Sequence, residues 1–354
     1  MTKDKSLKSR EGTFPSTLDP RPLTIPFSMR KALTTSTAIL PLALGAGSLL
    51  WILPEAGNLL LWGGWFVALL TTYVWMETNA RQQLIRERSR MVSTTVFASL
   101  SAVPLLHEFR LASLLPLALQ LCYACLFSAY QERRPEGKMF HAFLLLALAS
   151  LLLPQVLWLV PLLLFSCSLH LRSLTLGSFG ATLMALLLPV VGYSLWALVM
   201  WDFSLLITFL ENTRHALTHI DWSYWQSVYV ATPATLPTSE WQFLVSAGGT
   251  LLLSLISITH QVRTSYLDKI RVRMYYYLIA LVQGGLTVLL ILFPEERWTW
   301  LLLLITNGAP HIAHYLTLTR GWLCTTVFWV SLITLLLLTF FNYHTAWIFS
   351  LIFS

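Results

Sequence analysis

Apolar residues in this chain fall in long unbroken runs, at 34–53, 59–76, 92–106, 111–130, 139–153, 156–170, 174–200, 241–260, 275–293, 298–319 and 322–341. Strict alternation would mark half-buried strands, and a one-sided stripe would mark helices on a soluble core; neither pattern dominates here. A helix crossing roughly 30 Å of hydrocarbon needs about 20 such residues, and backbone in hydrocarbon must satisfy its own hydrogen bonds. The pattern therefore predicts an all-α fold, a polytopic transmembrane helical bundle of about eleven spans. The last run, 345–354, is too short to cross.

Two runs qualify that count. Residues 139–153 and 156–170 each reach only about 22 Å as helices, and Pro154 separates them. They read either as thin spans or as a re-entrant hairpin, which makes nine spans plus a hairpin. Both alternatives leave the chain on the same side afterwards.

The polar segments set the threading. Residues 1–31 carry Pro15, Pro20, Pro22, Pro26 and seven Lys or Arg, which predicts a flexible basic tail; 32–354 then forms a single transmembrane domain. No small-residue cleavage site follows 34–53, so that run is expected to be retained as a span. With the N-terminus in the cytoplasm, the inside segments hold the seven cations of the tail, four in 77–91, three in 131–138, Arg172, four in 261–274 and Arg320. Outside remain Arg110, Arg214 and Arg297, whereas acidic residues divide evenly. Positive loops resist translocation, so this imbalance predicts a cytoplasmic N-terminus.

Composition agrees. The chain of 354 residues is 56% hydrophobic and 11% charged, with a mean hydropathy of +0.66. Its net charge of +7 sits in short clusters between apolar runs, with no extended face to track phosphates, so no nucleic-acid partner is expected. Four cysteines fall inside apolar runs, and Cys122-x-x-Cys125 lacks the electropositive surroundings of a redox pair. They read as small buried hydrophobes.

The longest connection, 201–240, is predicted outside. Leu206, Leu210, Leu217 and Ile220 share one helical face and Glu211, His215 and His219 the other, as in a helix lying on a membrane surface. The following "SYWQSVYVATPATLPTSEW" is expected to be extended. Asp221 and His215 are the nearest acid–base pair in sequence, with Arg214 as an anion clamp and Trp222 and Trp225 as stacking platforms for a sugar. Glu55, just after the first span, adds a carboxylate on the same side and joins Asp221 and His215 as a catalytic candidate. The competing use of the aromatic residues is an interfacial belt.

A second cluster interrupts the run 298–319. Asn307, His311 and His314 fall within about 60° on a helical wheel, beside Pro310, which removes one backbone donor and predicts a kink. Broken membrane helices build ligand sites this way, while interhelical hydrogen bonding uses the same groups for packing. His141, His170 and His260 fall at predicted cytoplasmic ends near Arg172 and Arg263, a set suited to a lipid phosphate. Glu211 and His219 lie about 12 Å apart along a helix, too far to share an ion, so no metal is expected. No nucleotide-loop, zincin or serine-hydrolase motif occurs, and no cofactor is expected. No Asp, Glu, Lys or Arg lies in mid-span, which argues against ion-coupled transport.

The stretches "VPLLHEF", "LALASLLLPQVLWLVPLLLF", "LRSLTLGSFGATLMALLLPVVGY", "TSYLDKIRVRMYYYLI" and "APHIAHYLTLTR" give the chain a family resemblance. Over roughly two thirds of its length it resembles an uncharacterised family of polytopic inner-membrane proteins of Bacteroidota, a domain of unknown function. The resemblance implies a bacterial inner membrane and no particular activity. It also implies a family role for His314, because the family pattern has an apolar residue where this chain has His311. Where this chain reads Leu106-His107-Glu108, the family tends to read Leu-His-Pro.

Together these readings predict an envelope enzyme handling a lipid-linked saccharide, with membrane lipids and other membrane proteins as further partners. A non-catalytic membrane scaffold or complex subunit is the alternative, and a transporter the next. The layout is similar to multi-span envelope glycosyltransferases, which carry an external acidic residue near the first span, although their long first external loop is missing here.

Overall fold

The computed structural model describes residues 31–87, 89–220, 222–231, 236–318 and 322–352. Those residues form helices and short connections, with no strand among them. The helices are α1 (Ile39–Ile52), α2 (Leu59–Gln82), α3 (Met91–Ser101), α4 (Leu115–Ser128), α5 (Glu136–Leu152), α6 (Leu159–Leu169), α7 (Leu176–Met200), α8 (Ser204–Thr218), α9 (Ser223–Val230), α10 (Thr238–Thr264), α11 (Ile270–Leu292), α12 (Arg297–Leu318) and α13 (Trp322–Ile352). Each of the eleven apolar runs holds one of them. Six stretches are long and apolar enough to cross a membrane, and α1, α3 and α6 belong to the shorter apolar ones. This is compatible with an integral membrane protein. The predicted tail, Asp221 and Arg320 lie outside the described residues, save Lys31 at the tail's end.

Helix α12 is the axis of the bundle. It packs against α3, α10 and α11, and Thr299 to Tyr315 are buried without interruption. A helix enclosed all round tolerates polar residues only when its neighbours answer them, and that condition shapes the site below. The helix runs unbroken through Pro310. By contrast α7, which rests mainly on α5, has only 11% of its most apolar stretch buried, leaving a long face for lipid.

Segments that the charge pattern assigns to one side meet at one end. At the end holding Gln83, Lys269 donates from Nζ to Gln83 Oε1 at 3.0 Å, and Gln131 N donates to Leu171 O at 3.0 Å. At the opposite end Trp225 Nε1 donates to Ile291 O at 2.8 Å, and Tyr343 OH donates to Leu50 O at 2.8 Å. We call these the basic end and the loop end. The hairpin α5–α6 starts and finishes at the basic end, and its tip carries Trp158, whose indole donates to Leu217 O of α8 at 3.3 Å.

Two expectations are corrected. The run 92–106 is not one helix: α3 stops at Ser101, because Pro104 forces Val103 to extended backbone (φ −123°, ψ 90°). The chain then passes through the bundle irregularly, its carbonyls answered by side chains: Asn342 Nδ2 donates to Ala102 O at 2.7 Å and Trp51 Nε1 to His107 O at 3.2 Å. Irregular backbone is tolerated at depth when enclosed like this. Gly64 permits the close pass, since a Cβ there would meet the His107 carbonyl oxygen. Secondly, Ser223–Val230 is helical and not extended: alternating polar and apolar residues are also compatible with two helical turns against a surface.

Candidate functional site

Asn307 answers the interior of the bundle completely. Its Oδ1 accepts from Tyr123 OH of α4 at 2.6 Å, and its Nδ2 donates to Ile279 O at 3.1 Å and Gln283 Oε1 at 2.7 Å on α11. Gln283 passes the chain on, donating from Nε2 to Leu304 O at 3.3 Å and Ser254 Oγ at 3.4 Å. One turn on, His311 Nδ1 bonds Gln261 Oε1 of α10, and its ring lies 5.3 Å from that of Tyr276. The predicted stripe is real, and over these two residues it ties α4, α10, α11 and α12 together.

His314 differs. Its Nε2 sits 3.0 Å from Asp268 Oδ2, and Arg86 Nε sits 3.2 Å from Asp268 Oδ1. Arg86 also donates from Nη1 to Leu267 O at 3.1 Å. His314 and Asp268 side chains are each 2% exposed, so this is an enclosed imidazole–carboxylate pair closed by a half-exposed guanidinium. His314 Nδ1 is buried without a partner and the residue borders a cavity at the basic end. The sequence reading does not single out Asp268. Its isolation among Arg263, Lys269, Arg271 and Arg273 was the available signal.

The external candidates are placed apart. Arg214 and His215 are exposed on α8, and the His215 and His219 rings stack at 4.7 Å. Trp222 is 49% exposed, whereas Trp225 anchors α9 to the end of α11 through its indole. Beside them stands a cluster that the sequence did not single out: Arg297 pairs with Glu240 at 2.5 Å, lies 4.8 Å above the Tyr224 ring, and Glu240 accepts from Tyr224 OH at 2.7 Å. Burial, then the Glu240 carboxylate, pushes the Tyr224 phenol well up.

Glu55 borders a different concavity, of about 360 Å³, with Trp51, His107, Glu108, Arg110 and Tyr343 on its wall. Arg214, His215, Trp222 and Trp225 do not line it. Asn58 donates to Glu55 Oε2 at 3.3 Å, and Arg110 lies 3.9 Å from Glu108. The His107 ring stacks on Trp51 at 3.9 Å and 9°, and burial pushes its pKa down to about 4. Two carboxylates, a guanidinium and aromatic faces thus meet in one concave place at the loop end. Comparison with family models, with curated proteins and with solved structures gives no match.

Proposed function

We propose that this chain is a multi-pass protein of the bacterial inner membrane with its N-terminus in the cytoplasm, and that it is an envelope enzyme acting on a lipid-linked saccharide at the loop end. The single observation that carries the reading is the shared cavity of Glu55, Glu108 and Arg110. Its volume of about 360 Å³ falls in the range of small-molecule sites, roughly 300–1,000 Å³. The chemistry fits the substrate class: a carboxylate takes a proton from a sugar hydroxyl, Arg110 meets a pyrophosphate, and Trp51 and Tyr343 offer apolar faces to a sugar ring. Glu55 is the base in this reading and Glu108, beside Arg110, positions the clamp. The orientation rests on the cation imbalance, and the full count of crossings on the contact between the hairpin tip and α8. The resemblance to inner-membrane proteins of Bacteroidota supports the location.

The test is a pair of conservative substitutions. Glu55→Gln and Glu108→Gln are expected to abolish synthesis of an envelope glycoconjugate while the protein accumulates and inserts normally. A wild-type glycoconjugate profile in both variants would remove the enzyme reading and favour a non-catalytic subunit.

A further inference from the structure

Four segments wall the loop-end cavity: the end of α1, the start of α2, the passage after α3 and the loop-end part of α13. The seams between them are closed unequally. The passage is tied to α1 by the buried bond from Trp51 Nε1 to His107 O, and to α13 by the buried bond from Asn342 Nδ2 to Ala102 O. It is tied to α2 by Phe109 N, which donates to Leu60 O at 2.9 Å, while α1 and α2 are consecutive in the chain. The remaining seam, between α1 and α13, is spanned among the described residues by Tyr343 OH on Leu50 O, and that bond is exposed.

The sequence prepares this seam. Pro54 has no N–H, so the Leu50 carbonyl lacks its helical donor four residues on, and Tyr343 supplies one from another helix. On one edge α1 ends at Ile52 and gives way to the short turn Leu53–Glu55; on the other the α13 backbone leaves helical values at His344 (φ −117°, ψ 17°). Interrupted helices yield more easily than continuous ones. The flanks are apolar: Leu50 and Leu53 on α1 and its turn are exposed, as are Phe340 and Leu336, one and two turns from Tyr343 on the same face of α13. The weakest closure of the cavity therefore lies between two surfaces suited to hydrocarbon.

A lipid-linked substrate has to keep its chain in hydrocarbon while its head group occupies a polar cavity, because either part is costly in the other's medium. Such a cavity needs an opening towards lipid. We propose that the seam between α1 and α13 is that opening: the head group passes between Leu50 and Tyr343 into the cavity of Glu55 and Arg110, and the chain stays outside against Leu53 and Phe340. Tyr343 is the gate. Its bond to Leu50 O holds the seam shut, and at an exposed position water takes over both groups when it opens. This inference rests on the reading of the cavity as a lipid-linked saccharide site, and its test separates the two.

The experiment uses the full chain in phosphatidylcholine nanodiscs and follows exchange of two radiolabelled probes: undecaprenyl pyrophosphate, which reaches the cavity from lipid, and inorganic pyrophosphate, which reaches it from water. Tyr343→Phe removes the latch and keeps the ring; it should speed exchange of the lipid probe about fivefold, and more than that of the soluble probe. Leu53→Trp adds bulk to the flank without touching the cavity wall. It should slow the lipid probe and leave the soluble probe unchanged, whereas Leu176→Trp, at an exposed position of the basic end, should alter neither. Wild-type exchange of the lipid probe in both seam variants, with pyrophosphate bound normally, overturns the portal and leaves the site reading standing. Equal changes for the two probes also overturn it, since Tyr343 and Leu53 would then shape the cavity and not an entrance. If the wild type fails to bind pyrophosphate, or Arg110→Gln binds it equally well, the site reading fails and the portal falls with it.

Discussion

Two pairs of histidines, one on α12 and one at the C-terminal end of α8, carry nearly the same local pattern and end in opposite circumstances. His311 and His314 are three residues apart and His215 and His219 four, so each spacing puts both rings on one helical face. On α12 the facing elements supply Gln261, Tyr276 and Asp268. On α8 the rings stack on each other at 4.7 Å and are exposed to solvent. Periodicity delivers groups to a face; what they do depends on what the opposite face brings. In hydrocarbon, or in a bundle as closed as this one, burying a polar ring is costly, so what the facing elements supply decides how much of that cost is offset.

The sharpest way to break the comparison is to delete the rings. His314→Leu leaves the buried Asp268 carboxylate to Arg86 alone and is expected to cost about 3 kcal/mol or more. His311→Leu leaves only the Gln261 amide unpaired and should cost about 1–3 kcal/mol. His215→Leu and His219→Leu should stay within the scatter of surface substitutions. Thermal unfolding in nanodiscs measures all four. Equal losses on α8 and α12 would show that burial and pairing do not separate the two pairs.

A third histidine separates burial from pairing. His107 is enclosed against Trp51 with Nε2 unpartnered, and burial pushes its pKa from the ordinary 6.5 down to about 4. The unfolded chain therefore binds the proton first. This part of the stability is fully present above about pH 6.5 and is lost as the pH falls towards about 4. The shift corresponds to about 3 kcal/mol at 1.36 kcal/mol per pH unit. His107→Phe keeps the stack on Trp51 and should flatten the acid limb of the unfolding curve. An unchanged acid limb in that variant would assign the loss to other groups.

The legible part of the fold was what hydrocarbon dictates. Each apolar run holds a helix, the element that satisfies its own backbone hydrogen bonds, although 92–106 is α-helical only as far as Ser101, and the helical face of Asn307, His311 and His314 followed from wheel geometry alone. The partners were not legible. Asp268 lies 46 residues from His314 and Tyr123 lies 184 from Asn307, distances over which periodicity says nothing. The irregular passage after α3 was hidden for a related reason: 92–106 is apolar throughout, and apolar character specifies burial without specifying helix. Glu55 was visible, but the cavity it shares with Glu108 and Arg110 depends on α13 closing over it with Tyr343.

The smallest expected effects lie on α8 and α9, where they discriminate most finely. Trp225→Phe removes one bond to the Ile291 carbonyl and should cost about 1 kcal/mol, whereas Trp222→Phe, on a half-exposed ring, should cost less. Arg214→Ala should alter neither the unfolding temperature nor the glycoconjugate profile, because α8 presents the guanidinium to solvent and the Glu55 cavity is built without it. The measurement sets the profile of Arg214→Ala beside that of Glu55→Gln at equal protein level. Loss of the profile in Arg214→Ala alone would move the saccharide site from the loop-end cavity to the α8 surface. In that case a stacked, solvated histidine pair would have acquired its partner from the substrate, and the contrast with α12 would have to be redrawn around ligands instead of helices.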